Sequence, residues 1–424
     1  GSQTVWFGYQ QLADEQLTAV AKIALLLSLL GCIAIGSERF QNQWFRSLEP
    51  VLLLLLSCLG MICMISAQDW ITFYLSFELQ SLCLYVLAGL QRHSGFSTEA
   101  ALKYFVLGAF SSCLLVLGIS LIYGSTGIMT FEGCRMILIQ DGITSPTLQI
   151  GLFLIVTAIF FKLAAVPFHM WSPDVYEGAP TAVSTVFAVV PKLALTIVLF
   201  RILHWEAHAC LGWLQAFLLL CGVASMIIGS FLALVQVRLK RLLAYSGISH
   251  VGYLLISMAT EQGVQATLLY VVIYMITALF LWGFVLASHI KLQPFQVRYI
   301  SDIVGFGTSH VILALSLSVV LFSLGGIPPL AGFFAKVSVF FATIEAGFIL
   351  PSLIAVLTSV VATYYYIRLI KSMFFEKGLN SWVTYRQITK SHAFMLGICT
   401  AFLVFFSVFP NIFFLGACYL APLL

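Results

Sequence analysis

The sequence predicts an all-α polytopic membrane protein of about twelve transmembrane helices, and three observations lead there. Of its 424 residues, 61% are hydrophobic and 8% charged, against about a quarter charged in a soluble domain. Apolar runs long enough to cross a bilayer recur along almost the whole chain. The basic residues, finally, collect in every second loop. A chain this poor in charge cannot cover a water-facing surface, so most of it faces lipid or other membrane subunits.

The apolar runs fall at about 17–36, 49–67, 71–90, 102–123, 148–167, 181–203, 211–235, 241–259, 265–288, 309–346, 350–372 and 392–417, each near the roughly 20 residues that span a hydrocarbon core as a helix. The run 309–346 is too long for one straight helix and is interrupted at Gly325-Gly326-Ile327-Pro328-Pro329. It reads as one crossing made of two half-helices, because an interior proline removes a backbone hydrogen bond. The first 16 residues are polar and weakly acidic and give no cleavable signal.

Twelve crossings alternate the loops between two sides. The loops after spans 1, 3, 5, 7, 9 and 11, with the adjoining helix ends, hold Arg39, Arg46, Arg92, Lys103, Arg238, Lys240, Arg241, Lys291, Arg298, Arg368, Lys371, Lys377, Arg386 and Lys390. The other side holds Arg135 and Arg201. Fourteen against two is a strong positive-inside bias, and one miscounted span would scramble it. Both termini are then expected on the outer side.

The remaining four of the 20 basic residues, Lys22, Lys162, Lys192 and Lys336, lie inside spans, where Glu78 is the only deep acid. A charge at the bilayer centre costs about 3 kcal/mol or more. Lys22 is near its helix end and can snorkel. Three lysines against one acid is a poor way to neutralise charge, so Glu78, Lys162, Lys192 and Lys336 read as functional and not as helix glue. His250, in span 8, reads as a relay group, with satisfied polar packing as the bland alternative. His169, just beyond a helix break, reads either as part of a hydrated path or as a cap. His204, His208, His289, His310 and His392 read as loop or helix-end residues.

The chain divides into 1–48, an N-terminal segment with the first span; 49–203 and 211–372, two units of five spans; and 373–424, a loop and the last span. A repeated unit with an odd number of spans must be inverted. The fourth span of each unit is broken by proline and carries a lysine: Lys162 before Pro167 in one, Lys336 seven residues after Pro329 in the other. Paired broken helices in inverted repeats point to a transport site. Low dielectric disfavours a charged amine, while a nearby carboxylate favours it, so moving Glu78 relative to Lys162 would switch proton release. Pro191 precedes Lys192, and its ring is expected to disturb span 6 and free backbone groups to bind water.

The ten cysteines contain no Cys-x-x-Cys pair, and most, such as Cys58, Cys63, Cys113, Cys221 and Cys399, sit in apolar runs as small hydrophobes. The only Gly-x-Gly, at Gly305 to Gly307, opens no dinucleotide fingerprint. No cofactor or metal site is expected in this chain.

The motifs carry a resemblance. The stretch from Phe161 to Thr181, with Lys162, Pro167, His169, Trp171, Asp174, Tyr176-Glu177-Gly178 and Pro180, resembles the broken-helix signature of the complex I subunit 2 family, the bacterial N subunit. Phe77-Glu78-Leu79-Gln80-Ser81-Leu82 resembles its glutamate helix, Leu239 to Ser246 its central loop, and Ser323 to Lys336 its second broken helix. The similarity runs from about residue 15 to the end. It implies a proton channel of antiporter type driven by quinone reduction elsewhere in the complex, with Glu78 and Lys162 as coupling pair, Lys192 as central relay and Lys336 as exit-side lysine. It further implies that the complex uses NADH, FMN, iron–sulfur clusters and ubiquinone, with none bound by this chain. The implied partners are other membrane-arm subunits, neighbouring antiporter-like subunits among them, with lipid, protons and water, and no nucleic acid. The Tyr176-Glu177-Gly178 element separates this family from its larger antiporter-like relatives.

The bacterial members carry their glutamate on the fifth helix, whereas Glu78 is on the third here, so two N-terminal helices are expected to be lost or encoded separately, and Gly1-Ser2 is no natural start. That reduction favours the mitochondrial inner membrane over a bacterial plasma membrane or a thylakoid. The rival classes are a stand-alone cation/proton antiporter component and a structural module that has lost transport. The second would lack the buried lysines, and all three are here.

The topology has a direct test. Membrane-impermeant reagents should reach the loops at 91–100 and 371–391 only from the matrix or bacterial cytoplasmic face. Labelling of either loop from the opposite face of sealed membranes would overturn it.

Overall fold

The structure, a computed structural model, describes residues 5–7, 11–39, 48–140, 146–206, 211–260, 263–288, 297–376 and 389–420. The expected residues Arg46, His208, His289, Lys291, Lys377 and Arg386 lie outside them. Inside a bilayer the backbone must bond to itself, and apolar runs of this length do so as helices: α1 Gln16–Arg39, α2 Glu49–Ser66, α3 Trp70–Ala88, α4 Gly95–Thr126, α5 Phe131–Gln140, α6 Pro146–Leu163, α7 Trp171–Gly178, α8 Thr181–Glu206, α9 Leu211–Val235, α10 Leu239–Met258, α11 Gly263–Ala287, α12 Phe306–Ser309, α13 Val311–Gly325, α14 Ala331–Glu345, α15 Ile349–Phe374, α16 Lys390–Val408 and α17 Pro410–Leu420. Ten of these are long and apolar enough to cross a membrane. The α13–α14 pair and α10 complete the twelve crossings. α10 falls short on hydropathy alone because it carries Lys240, Arg241, Tyr245, Ser246, Ser249 and His250, yet protein encloses most of it.

One expectation is corrected here. The run 392–417 is not one helix: α16 ends at Val408 and α17 begins at Pro410, which lacks the N–H a continuing helix would need. Ahead of α1, Val5–Phe7 and Leu12–Asp14 form a short antiparallel pair. Lys22 reaches back to Asp14 of that pair and forms an ion pair.

Contacts between loops sort by side as the alternation requires. Lys103, at the start of α4, pairs with Asp174 of α7 at 2.8 Å and with Glu99 at 2.6 Å. Arg241 of α10 pairs with Asp174 and, at 2.8 Å, with Glu177, which also pairs with Arg238. Lys240 donates to the Ala179 carbonyl, Arg368 to that of Leu234, and His392 meets that of Ile35. All these segments belong to the basic side. On the other side, Arg201 donates to the carbonyls of Ile65 and Ala67, Phe131 N–H to Gln68, and Gln215 to Ala259 at 2.8 Å. Burial pushes the Asp174 carboxyl up, but Lys103 and Arg241 more than offset this and hold it below the usual carboxylate range.

Helices with no hydrophobic force between them in lipid gain from close backbone approach. α4 and α6 meet through Gly118 and Gly151: a Cβ on Gly118 would lie 2.7 Å from the Gly151 carbonyl, and one on Gly151 would lie 2.9 Å from that of Gly118. Because the obstacles are backbone atoms, a side chain there must part the helices. Gly151→Val should cost about 1–3 kcal/mol and lower the thermal stability of the purified complex. An unchanged melting profile would show that the crossing is looser than this.

Candidate functional site

The first helix break builds the first half of the site. α6 ends at Leu163, and Ala164 turns the chain with a left-handed φ of 61°. In a continuous helix the Phe161 carbonyl would be bonded from residue 165, whose N–H goes to Phe160 instead. The indole N–H of Trp171 donates to the Phe161 carbonyl at 2.7 Å, and Tyr104 stacks on that indole at 4.7 Å. Lys162 donates to the Tyr85 hydroxyl at 2.5 Å and lies over the rings of Tyr85, Phe77 and Tyr104 at 4.6, 5.1 and 5.6 Å.

Glu78 forms no ion pair with Lys162 among the described residues; two hydroxyls stand between them. Glu78, Ser81 and Tyr85 follow one face of α3. Ser81 donates to Glu78 Oε2 at 3.1 Å, and its side chain also interacts with Tyr85. Glu78 Oε1 is buried without a hydrogen-bond partner among the described residues.

Pro191 lies inside α8, but the helix continues unbroken from Thr181 to Glu206. The carbonyl that proline leaves without a donor, Phe187 four residues earlier, accepts the Tyr176 hydroxyl at 3.1 Å. The freed group is therefore bonded by protein, where the sequence suggested water. Tyr176 also lies 5.9 Å from Lys192 Nζ, which donates to the Tyr274 hydroxyl at 2.9 Å.

The second break supplies the rest. α13 stops at Gly325, Gly326 takes a φ of 83°, and α14 starts at Ala331. The Gly325 carbonyl, at the negative end of a half-helix, accepts Lys336 Nζ at 3.0 Å and Thr363 Oγ1 at 3.1 Å. Lys336 thus has a carbonyl partner and, among the described residues, no carboxylate. His250 meets the Tyr270 hydroxyl at 2.7 Å through Nδ1 and that of Tyr366 at 3.3 Å through Nε2. His250, Tyr270, Tyr274, Ser323 and Lys336 line a cavity of about 20 Å³, enough for one water.

The three lysines are 8, 5 and 4% exposed, which excludes snorkelling. The structure thus groups Glu78 with Lys162 through hydroxyls, and His250 with Lys336 around the cavity, which Lys192 meets only through Tyr274. It does not join His169 to either group: that ring is buried, its Nδ1 lacks a hydrogen-bond partner among the described residues, and its carbonyl caps α7 by accepting from Ser172. Sequence reasoning missed the tyrosines. Tyr85 stands seven residues after Glu78, and that helical spacing was the available signal; Tyr270 and Tyr274 lie on α11, which carries no charged residue to point to them. A tyrosine hydroxyl both donates and accepts, so it can hold an amine or pass a proton from it.

The family described as NADH:quinone oxidoreductase/Mrp antiporter, TM, matches residues 67–362. NADH-ubiquinone oxidoreductase chain 2 of Marchantia polymorpha is 42% identical over 414 residues, covering 96% of this chain and 83% of that one. NADH-quinone oxidoreductase subunit N of Rhodospirillum rubrum is 42% identical over 373 residues, covering 88% and 74%. A chain of respiratory complex I from Thermus thermophilus with bound aureothin has the same fold, with a TM-score of 0.82 at 28% identity over 97% of this chain and 88% of that one. A polytopic helical chain with lysines at two helix breaks and this span of similarity belongs to the NADH:quinone oxidoreductase/Mrp antiporter membrane family, and within it to the group of NADH-ubiquinone oxidoreductase chain 2 and bacterial subunit N.

Proposed function

We propose that this chain is the proton-translocating, antiporter-like membrane subunit of an NADH:ubiquinone oxidoreductase, coupling quinone reduction elsewhere in the complex to proton movement. In this reading Glu78 and Lys162 form the coupling pair, Lys192 and His250 relay, and Lys336 is the exit-side donor. Residues 49–203 and 211–372 act as two inverted five-span repeats. The chain itself holds no redox centre, and NADH, FMN, iron–sulfur clusters and ubiquinone belong to other subunits. Its neighbours are membrane-arm subunits, and its place is the mitochondrial inner membrane.

One observation carries the reading. Each of three buried lysines is bonded to a hydroxyl or a carbonyl, and none to a carboxylate, among the described residues. A lysine kept as helix glue would be locked in an ion pair, as Arg241 and Lys103 are at the surface. A lysine held by neutral groups can lose its proton without stranding an opposite buried charge. The full-length relatives named chain 2 and subunit N support the assignment of the complex.

Replacing Glu78 or Lys162 by alanine should lower proton-coupled quinone reduction by roughly tenfold or more while NADH oxidation by artificial acceptors persists. Normal pumping by Glu78→Ala would sink the coupling pair. Lys336→Arg keeps the charge but abolishes release, since arginine stays protonated. That variant should join the same very large complex on blue-native gels yet pump poorly, and wild-type pumping would make Lys336 an anchor.

A further inference from the structure

Tyr274 touches both Lys192 and the cavity lined by His250 and Lys336. The Tyr274 hydroxyl accepts from Lys192 Nζ at 2.9 Å, and the same residue lines the cavity, its ring centroid 5.3 Å from that of His250. The floor of this contact is Gly247 of α10. A Cβ placed there would lie 2.8 Å from Lys192 Nζ and 3.3 Å from the Tyr274 hydroxyl, and it would meet nothing else within 4 Å. The missing side chain at residue 247 therefore leaves room for this hydrogen bond and for no other contact.

We propose, on the proton-relay reading above, that Tyr274 is the proton-carrying hydroxyl between the two halves of the chain, and that Gly247 keeps its contact with Lys192 open. The step balances without any redox partner. The Lys192 ammonium gives one proton to the Tyr274 oxygen as the phenolic proton leaves toward a water in the cavity. Lysine becomes an amine, the acceptor gains one positive charge, and the tyrosine is restored by rotation of its hydroxyl. A hydroxyl can do this because it offers one donor and two lone pairs at one atom. Phenylalanine offers neither, and its ring would still fill the space.

Two single changes probe the junction by different means. Tyr274→Phe removes the hydroxyl and leaves the packing. Gly247→Ala keeps every polar group but adds a methyl whose nearest neighbour is the flexible end of Lys192, so the ammonium moves and the helices do not. In the intact complex in sealed vesicles, each variant should lower proton uptake per NADH oxidised several-fold, with NADH oxidation by an artificial acceptor unchanged. Combined, they should be no worse than the stronger single variant, because the second change has nothing left to break. Losses that multiply instead would give Gly247 a merely structural role and overturn the junction. Wild-type pumping by Tyr274→Phe would overturn it as well. Lys192→Ala, measured alongside, separates the two levels. If it pumps normally, the relay reading itself fails; if it loses pumping while Tyr274→Phe retains it, only the junction fails.

Discussion

Within a bilayer, a backbone carbonyl that loses its helical donor must find another inside the protein, at a cost of several kcal/mol if it does not. That need arises beside each of the three buried lysines. The Phe161 carbonyl, which keeps only a tighter-turn bond from the Ala164 N–H, takes the Trp171 indole next to Lys162, the Phe187 carbonyl takes the Tyr176 hydroxyl next to Lys192, and the Gly325 carbonyl takes Lys336 itself. The groups that make broken or proline-bearing helices tolerable are thus the groups that surround the ionisable side chains. Stability and chemistry here draw on one set of atoms.

The charged members of that set were legible in the sequence and the neutral members were not. Lys162, Lys192, Lys336 and Glu78 stand out because a charge in an apolar run is expensive wherever it points. A tyrosine in such a run is cheap, since its ring is at home in lipid or protein and only its hydroxyl needs a partner. Nothing in the one-dimensional pattern says whether Tyr274 turns inward; the packing of α8 against α11 decides it. The same logic explains the misreading at Pro191. The ring's effect on Phe187 was deducible, but the donor comes from Tyr176, on a different element.

The alternation of sides was legible because it is a property of loops counted in order, and the ion pairs of the basic side agree with it. Their identity was not, since Lys103, Asp174, Glu177, Arg238 and Arg241 come from three separate connections. The tripeptide Tyr176-Glu177-Gly178 shows how closely surface and interior are joined. Glu177 holds two arginines of the basic side. Tyr176 reaches into α8, and Gly178 lets α7 approach α4 so closely that a Cβ would sit 2.5 Å from the Phe96 carbonyl. A shift of α7 would therefore be felt at the proline beside Lys192.

α8 is the helix that lipid does not touch. Every residue from Thr181 to Leu203 is buried, under α1, α2 and α6 from earlier in the chain and α10 and α11 from later. During synthesis the later helices do not yet exist when α8 enters the bilayer. Lys192 then stands without Tyr274 or Gly247 and bears the cost of about 3 kcal/mol that a central charge carries. Biogenesis must therefore tolerate an exposed cation until α10 and α11 arrive, and a ribosome that stalls before them leaves an apolar helix with one unmatched lysine in the bilayer.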